Sequence, residues 1–432
     1  MNRSIHWLLL YFLVIQAATA QTRTGVLAEP VYNYDEAKVG DLTLPDLLRT
    51  TAGKQVTSRA DWAARRAELL QLFAENVYGK TPAQPVRLQF QTTSIQQNAL
   101  NGLAIRKQVS IVFTDYPKLP PIEVLIYVPK NAAKPAPVFM GLNFCGNHCV
   151  SPEADIPLST RWVDNAIGEV SVNNRATEKS RGMQERRWPI DTILKRGYAL
   201  VTAYYGDIEP DHKTGWRSGI RSVLGDTARY NGPQDSQWGA IGAWAWGMSR
   251  IMDYIQTDPA LDARRVVLMG HSRIGKAAVW AGVQDERIAA VISNESGEGG
   301  AALSRRWYGE TVERVNTSFP HWFTGRYKTF NQRVADLPVD QHELLALVAP
   351  RPLYVASADG DQWSDPKGEF MGALYAEPAY KLYGKTGLGV TTFPGLNQSV
   401  GQTVRYHNRT GKHDVTNYDW AQYLRFADEL VR

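Results

Sequence analysis

A serine, a histidine and several carboxylates fall at the ends of apolar segments, an arrangement suited to acyl transfer. Ser272 stands in Gly270-His271-Ser272-Arg273-Ile274-Gly275, after an apolar run at 266–270 and before a helical run at 276–282. Serine is a weak nucleophile at neutral pH and needs a base within hydrogen-bond reach. A sharp strand-to-helix turn would expose its hydroxyl, and small flanking residues allow that turn. The second glycine lies one position later than in G-x-S-x-G, and a plain helix N-cap is the competing reading of Ser272. Among the eight histidines, His413 is read as the base, because it stands in the loop 409–420 between the last strand and the last helix. His271 is expected to point away from the turn, and His407, within a strand, to be a satisfied core residue. The acid that orients His413 has two candidate places. Glu295 lies in ISNESGEGG, and Asp359 and Asp361 lie in ASADGDQW, one strand later. Each keeps the chain order serine, acid, histidine, and each Asp beside a glycine is equally a common turn residue.

The elements that must position these residues follow from periodicity. An amphipathic helix is expected over 59–77, with Leu69, Leu70, Leu72 and Phe73 on its apolar side. Strands are expected at 85–93, 104–113 and 121–129, with no helix between them. From 136 onward, apolar strands at 136–144, 198–205, 264–270, 288–294, 352–361 and 402–408 alternate with helices. The helix at 238–255 is mostly apolar, and an amphipathic helix ends the chain. That order predicts one α/β domain over 21–432, with an N-terminal extension and loop insertions. Its mainly parallel central sheet would carry helices on both faces, a three-layer sandwich with the functional loops at the carboxyl ends of the strands.

The 432 residues carry a formal net charge of only +5, with the basic residues scattered, so a nucleic-acid partner has little support. The cluster Arg181, Arg186 and Arg187 reads as an acidic-ligand site or a solvated face. Residues 1–20 combine Arg3, an apolar run and Ala18-Thr19-Ala20, the pattern of a cleaved secretory leader; the apolar run is short for a span of ~20 residues. The expectation is a secreted or periplasmic protein with no membrane segment after cleavage. Cys145 and Cys149 are then able to form a local disulfide, or they remain two free thiols. With His148 they make three clustered donors without a fourth, a weak metal set.

Four stretches, GHSRIGKAAVWAG, NESGEGG, DQWSDPKGEF and GKHDVTNYDW, together resemble the glucuronoyl esterases of carbohydrate esterase family 15, which have the α/β-hydrolase fold. The resemblance runs over most of the chain after residue 20, including LNFCGNH, YYGDIEPD and TSFPHWF. It implies hydrolysis of the ester between (4-O-methyl-)glucuronic acid on xylan and lignin alcohols, with no metal or organic cofactor and no obligate assembly beyond a monomer. It casts Ser272 as nucleophile, His413 as base, Glu295 as acid and Arg273 as an oxyanion donor. Asp361 matches a second acid, and Lys276, Trp363 and Glu313 match sugar-holding positions. His271 stands where fungal members carry a disulfide-bonded cysteine, which points to the bacterial branch. A general carboxylesterase or acetylxylan esterase on the same fold is the runner-up, and a carbohydrate-binding protein without chemistry is the third reading.

Overall fold

The computed structural model describes residues 32–40, 42–131, 135–165, 171–225 and 237–431. Its sheet begins with β1 (Leu88–Asn98), β2 (Ala104–Phe113) and β3 (Ile122–Pro129), which pair antiparallel in succession. Short connections leave no room for crossovers, so these strands lie side by side. Strand β4 (Ala136–Asn143) follows, and a hairpin of β5 (Ser171–Val172) and β6 (Arg175–Ala176) stands outside the sheet. Then β7 (Ala199–Tyr204), β8 (Leu261–His271), β9 (Ala290–Asn294), β10 (Leu353–Ala358) and β12 (Val404–Arg409) join β4 in a parallel block. The short β11 (Val400–Gly401) closes antiparallel on β12. The order across the sheet is β1-β2-β3-β7-β4-β8-β9-β10-β12-β11, an α/β-hydrolase arrangement with the parallel strands contiguous.

Both faces are covered because successive strand side chains point opposite ways. On β8, Val266 and Leu268 enter one core while Val267 and Met269 enter the other. The first core takes the helices Ala240–Ile255 and Arg273–Gln284. The second takes Ile190–Lys195 and Asn417–Leu430, whose Trp420, Tyr423 and Phe426 pack with Phe139 and Tyr354. This double burial is why β4, β7, β9 and β10 are buried along their whole length and read as continuous apolar runs.

Helix Arg59–Phe73 starts where the Ser58 side chain accepts from the Asp61 N–H, and a π turn carries it on to Tyr78. Its buried stripe is Trp62, Leu69 and Phe73; Leu70 and Leu72, expected on that side, are only partly buried. Arg65 takes a place in the stripe because Glu343 meets its guanidinium at 2.8 Å. Residues Tyr32–Arg432 cluster as one compact unit. The expected leader, 1–20, lies outside the described residues. Among the described residues, no helix is long and apolar enough to cross a membrane.

Candidate active site

Ser272 joins β8 to helix Arg273–Gln284 with φ 57 and ψ −131. A non-glycine residue there costs on the order of 1–3 kcal/mol, so its surroundings must hold it. The Ser272 N–H donates to Asn294 O at 2.9 Å, and its carbonyl accepts from Gly275 N at 2.8 Å and Lys276 N at 3.2 Å. The hydroxyl caps nothing, which removes the N-cap reading. A Cβ on Gly270 would stand 2.2 Å from the Ile274 carbonyl oxygen. One on Gly275 would stand 2.9 Å from Ser296 Cβ. The late glycine therefore answers to the loop after β9, against which the turn rests.

That loop carries Glu295, itself at φ 46. His413 Nδ1 lies 2.7 Å from Asp361 Oδ2 and 3.1 Å from Glu295 Oε2. Both carboxylates are buried, whereas the His413 side chain is 39 % exposed and reaches the surface cleft. Arg409 donates to Glu295 Oε1 at 2.5 Å and Asp414 N–H to Oε2 at 3.1 Å. Burial lowers the His413 pKa, but the hydrogen bonds and charges of Asp361 and Glu295 outweigh it and lift the pKa to about 9. Burial pushes Glu295 up to about 7 against the pull of His413 and Arg409. Burial also raises Asp361, but the His413 hydrogen bond and charge more than offset that and hold it below its ordinary value. The ligand atoms of Glu295, Asp361 and His413 lie within 4.8 Å of one another. With the Arg409 guanidinium already on Glu295, a positive charge stands where a cation would bind, and the set suits proton transfer.

Ser272, His413, Arg273, His271, Arg186 and Arg187 line one cleft of about 460 Å³. Arg273 is the first residue of its helix, so its N–H has no partner within the helix. Its guanidinium is anchored through Nη1 to Asp211, which also accepts from His321 Nε2 and Trp322 Nε1, both at 2.7 Å. The guanidinium rests over Trp322, 5.1 Å from the ring centre, and its Nε is buried without a hydrogen-bond partner. The site therefore holds a fixed cation next to the serine, with guanidinium N–H groups beyond the one bonded to Asp211. Asp211 carries no sequence signal beyond its place in YYGDIEPD, and sequence reasoning misses it.

Lys276 lies one turn further along, buried, with Nζ donating to Glu298 O at 2.5 Å and Glu310 Oε2 at 2.7 Å. An ammonium has three protons, so one remains beyond these two bonds. Glu310 N–H donates to Trp363 O at 2.8 Å, which places Trp363 on the same wall. Glu313 is not part of this group: its carboxylate accepts from Gln332 at 3.2 Å. Glu310 occupies the place beside Lys276: it precedes helix Val312–Ser318, whereas Glu313 sits in the first turn of that helix, and the sequence alone does not say which of the two meets Lys276. Removing one member of a buried pair strands the other's charge. Lys276→Ala is accordingly expected to cost about 3–5 kcal/mol of folding stability, read as a fall in the urea midpoint; Lys276→Ala with Glu310→Ala should recover part of it.

The other histidines sort by their partners. His407 is wholly buried between Asp419 and Tyr354, at 2.9 Å from each, as a core residue. His271 does not point clear of the site as expected. Its Nδ1 faces Asn294 Oδ1 at 2.6 Å, and its ring centre lies 4.4 Å from that of His413, because the tight turn carries it under the His413 loop. Cys145 and Cys149 are joined as a disulfide. His148 accepts from Ser159 N and faces Ser180 Oγ, which leaves no ring nitrogen for a metal. Asp359 is a turn residue that accepts from Gly411 N at 2.8 Å. Of the basic cluster, Arg181 bonds the Glu153 and Ile156 carbonyls, while Arg186 and Arg187 both pair with Asp414 at the rim of the cleft.

A family model described as "Glucuronyl esterase, fungi" matches residues 229–384. Carbohydrate esterase MZ0003, from an unknown prokaryotic organism, is 45 % identical over 421 residues, covering 97 % of each chain. The solved glucuronoyl esterase from Solibacter usitatus is 51 % identical with a TM-score of 0.85, covering 91 % of this chain and 99 % of its own. The 4-O-methyl-glucuronoyl methylesterase of Neurospora crassa is 26 % identical, covering 85 % of this chain and 81 % of its own.

Proposed function

The chain belongs to the glucuronoyl esterases of carbohydrate esterase family 15 and is a carboxylic ester hydrolase; from that premise we propose that it cleaves the ester between (4-O-methyl-)glucuronic acid of glucuronoxylan and lignin alcohols. The Lys276–Glu310 pair, buried one turn behind Ser272 and tied to Trp363, carries this reading. An acetyl group offers such a pair nothing to bind. A uronate offers ring hydroxyls to the spare Lys276 proton and to Glu310, and a ring face to the Trp363 indole.

In the reaction, His413 takes the proton of Ser272 while the serine oxygen attacks the C6 carbonyl carbon. The carbonyl π pair moves onto oxygen, where the Arg273 N–H and its guanidinium stabilise the charge. Collapse expels the alcohol, which leaves with the proton from His413, and water then clears the acyl-enzyme by the same route. Glu295 and Asp361 hold the His413 Nδ1–H and offset the imidazolium charge. The steps call for no metal or organic cofactor. Arg273→Ala should lower kcat by about 100- to 1,000-fold with little change in KM, because the donor acts on charge that develops only after binding.

The decisive measurement compares a methyl or benzyl glucuronate ester with p-nitrophenyl acetate. A higher kcat/KM on the glucuronate is expected, and a preference for the acetate would reject the substrate assignment in favour of a general esterase. The Cys145–Cys149 disulfide favours an oxidising compartment. It supports placing the enzyme outside the cytoplasm, secreted or periplasmic.

A further inference from the structure

Exposed aromatic residues lie beside the segment that carries Glu310 and the buried Lys276–Glu310 pair. Tyr34 is 51 % exposed and Trp307 44 % exposed, although both are large and partly apolar. Tyr34 stacks on Tyr32 with ring centres 6.4 Å apart, and Tyr32 meets Trp363 edge-on at 5.3 Å. These residues are continuous with the Glu310 segment through the backbone. Gly309 N–H donates to Asn33 O at 2.9 Å, Asn33 Nδ2 donates to Trp307 O at 2.6 Å, and the next residue, Glu310, is bonded to Trp363 O. Glu36 pins the same segment through Arg306 and, at 2.9 Å, through Lys367. The backbone that carries Tyr34 and Trp307 is thus anchored, and the Tyr34 ring also packs on Tyr32 and Tyr308, so a ligand orders less of the chain on binding. Burial, Tyr32 and the Asp361 carboxylate all raise the Tyr34 pKa, which puts this phenol within electrostatic reach of the His413 acid.

We propose that Tyr34 and Trp307 form a subsite for a neutral pyranose next to the uronate, that is, for a xylose unit of the chain that bears it. This rests on the proposed function. A pyranose has an apolar C–H face that lies flat on an aromatic ring and a polar rim that stays in water. Exposed aromatics on an anchored backbone match such a ring. Continuity with the Glu310 wall selects the polysaccharide side of the substrate over an unrelated ligand.

The test uses the full-length protein with Tyr34→Ala and Trp307→Ala, separately and together. One readout is kcat/KM on the methyl ester of a glucuronoxylan oligosaccharide, relative to that on methyl glucuronate. The other is the affinity of Ser272→Ala protein, with and without the aromatic substitutions, for the same two ligands. The double substitution should lower the oligosaccharide-to-monosaccharide ratio by about five- to ten-fold in both readouts. Equal losses on both ligands, or no change in the ratio, would overturn the subsite. Oligosaccharide-specific loss of binding with no turnover of either ester by the unsubstituted enzyme would uphold the subsite and reject the proposed reaction.

Discussion

Ser272→Ala is expected to lose at least about 10,000-fold in kcat on a methyl glucuronate ester while still binding it. In the proposed reaction, the substitution removes the atom that forms the acyl-enzyme and leaves the Arg273 donors and the Lys276–Glu310 pair in place. A residue at φ 57 that served only as a helix cap would show another pattern, a loss of about 1 kcal/mol of stability with turnover intact. Alanine keeps the backbone strain that serine bears, so the melting temperature should stay close to that of the unsubstituted enzyme. Ser272→Gly sharpens the contrast. Glycine adopts positive φ without steric cost, so this variant should be as inactive as Ser272→Ala yet more stable. An activity held within about ten-fold in both variants would remove Ser272 from the chemistry. The gain in the glycine variant measures the strain that the fold bears in order to present the hydroxyl.

The strain also explains how far the sequence could be read. The apolar run Val266–Met269, ending in a glycine, forces a buried strand, and the helical run after it forces a turn at Ser272. Neither depends on distant contacts. The lack of crossover helices at the start of the sheet was legible for the same reason, since the links between β1, β2 and β3 are too short for one; the antiparallel pairing itself comes from the structure. The parts that escaped are set by long-range partners in loops. Glu310 and Glu313 differ by three positions on either side of the start of helix Val312–Ser318, and only the fold selects Glu310 for Lys276. Leu70 and Leu72 look apolar-facing until Arg65 finds Glu343 and claims the stripe. Asp211, which anchors Arg273, and Arg409, which anchors Glu295, are single charged residues far along the chain from what they hold. The short 3-10 turns Asn147–Cys149, Glu178–Ser180 and Glu185–Arg187 have no hydrophobic repeat to reveal them. Even there, a mark was left: Arg186 and Arg187, conspicuous as a basic pair, meet Asp414, the residue immediately after His413.

The division of labour between Glu295 and Asp361 gives the second large effect. Glu295→Gln with Asp361→Asn is expected to cost about 1,000- to 10,000-fold in kcat, against about 10- to 100-fold for either change alone. The motif resemblance favours Glu295, yet Asp361 is nearer to His413 Nδ1, at 2.7 Å against 3.1 Å. Glu295 is also partly neutralised by Arg409. With one carboxylate amidated, the other still holds the Nδ1 tautomer and part of the imidazolium charge. With both amidated, nothing does. The amides preserve volume, and in Glu295→Gln the remaining carbonyl oxygen can still accept from Arg409 or Asp414 N–H, so folding should survive. The pH profile provides a check that a purely structural defect would not mimic. The base must be neutral to act, and two acids lift His413 to about 9, so kcat/KM of the unsubstituted enzyme should still be rising between pH 7 and 9. Removing Asp361 takes away one negative neighbour, lowers the His413 pKa and moves that rise to lower pH. The double variant should move it further, because burial, which disfavours the charged ring, then acts with little opposition. The three groups titrate as a coupled set, so the shift belongs to the cluster as a whole. Complete loss from Glu295→Gln alone, with Asp361→Asn silent in both rate and profile, would leave a single acid and make the shorter contact incidental.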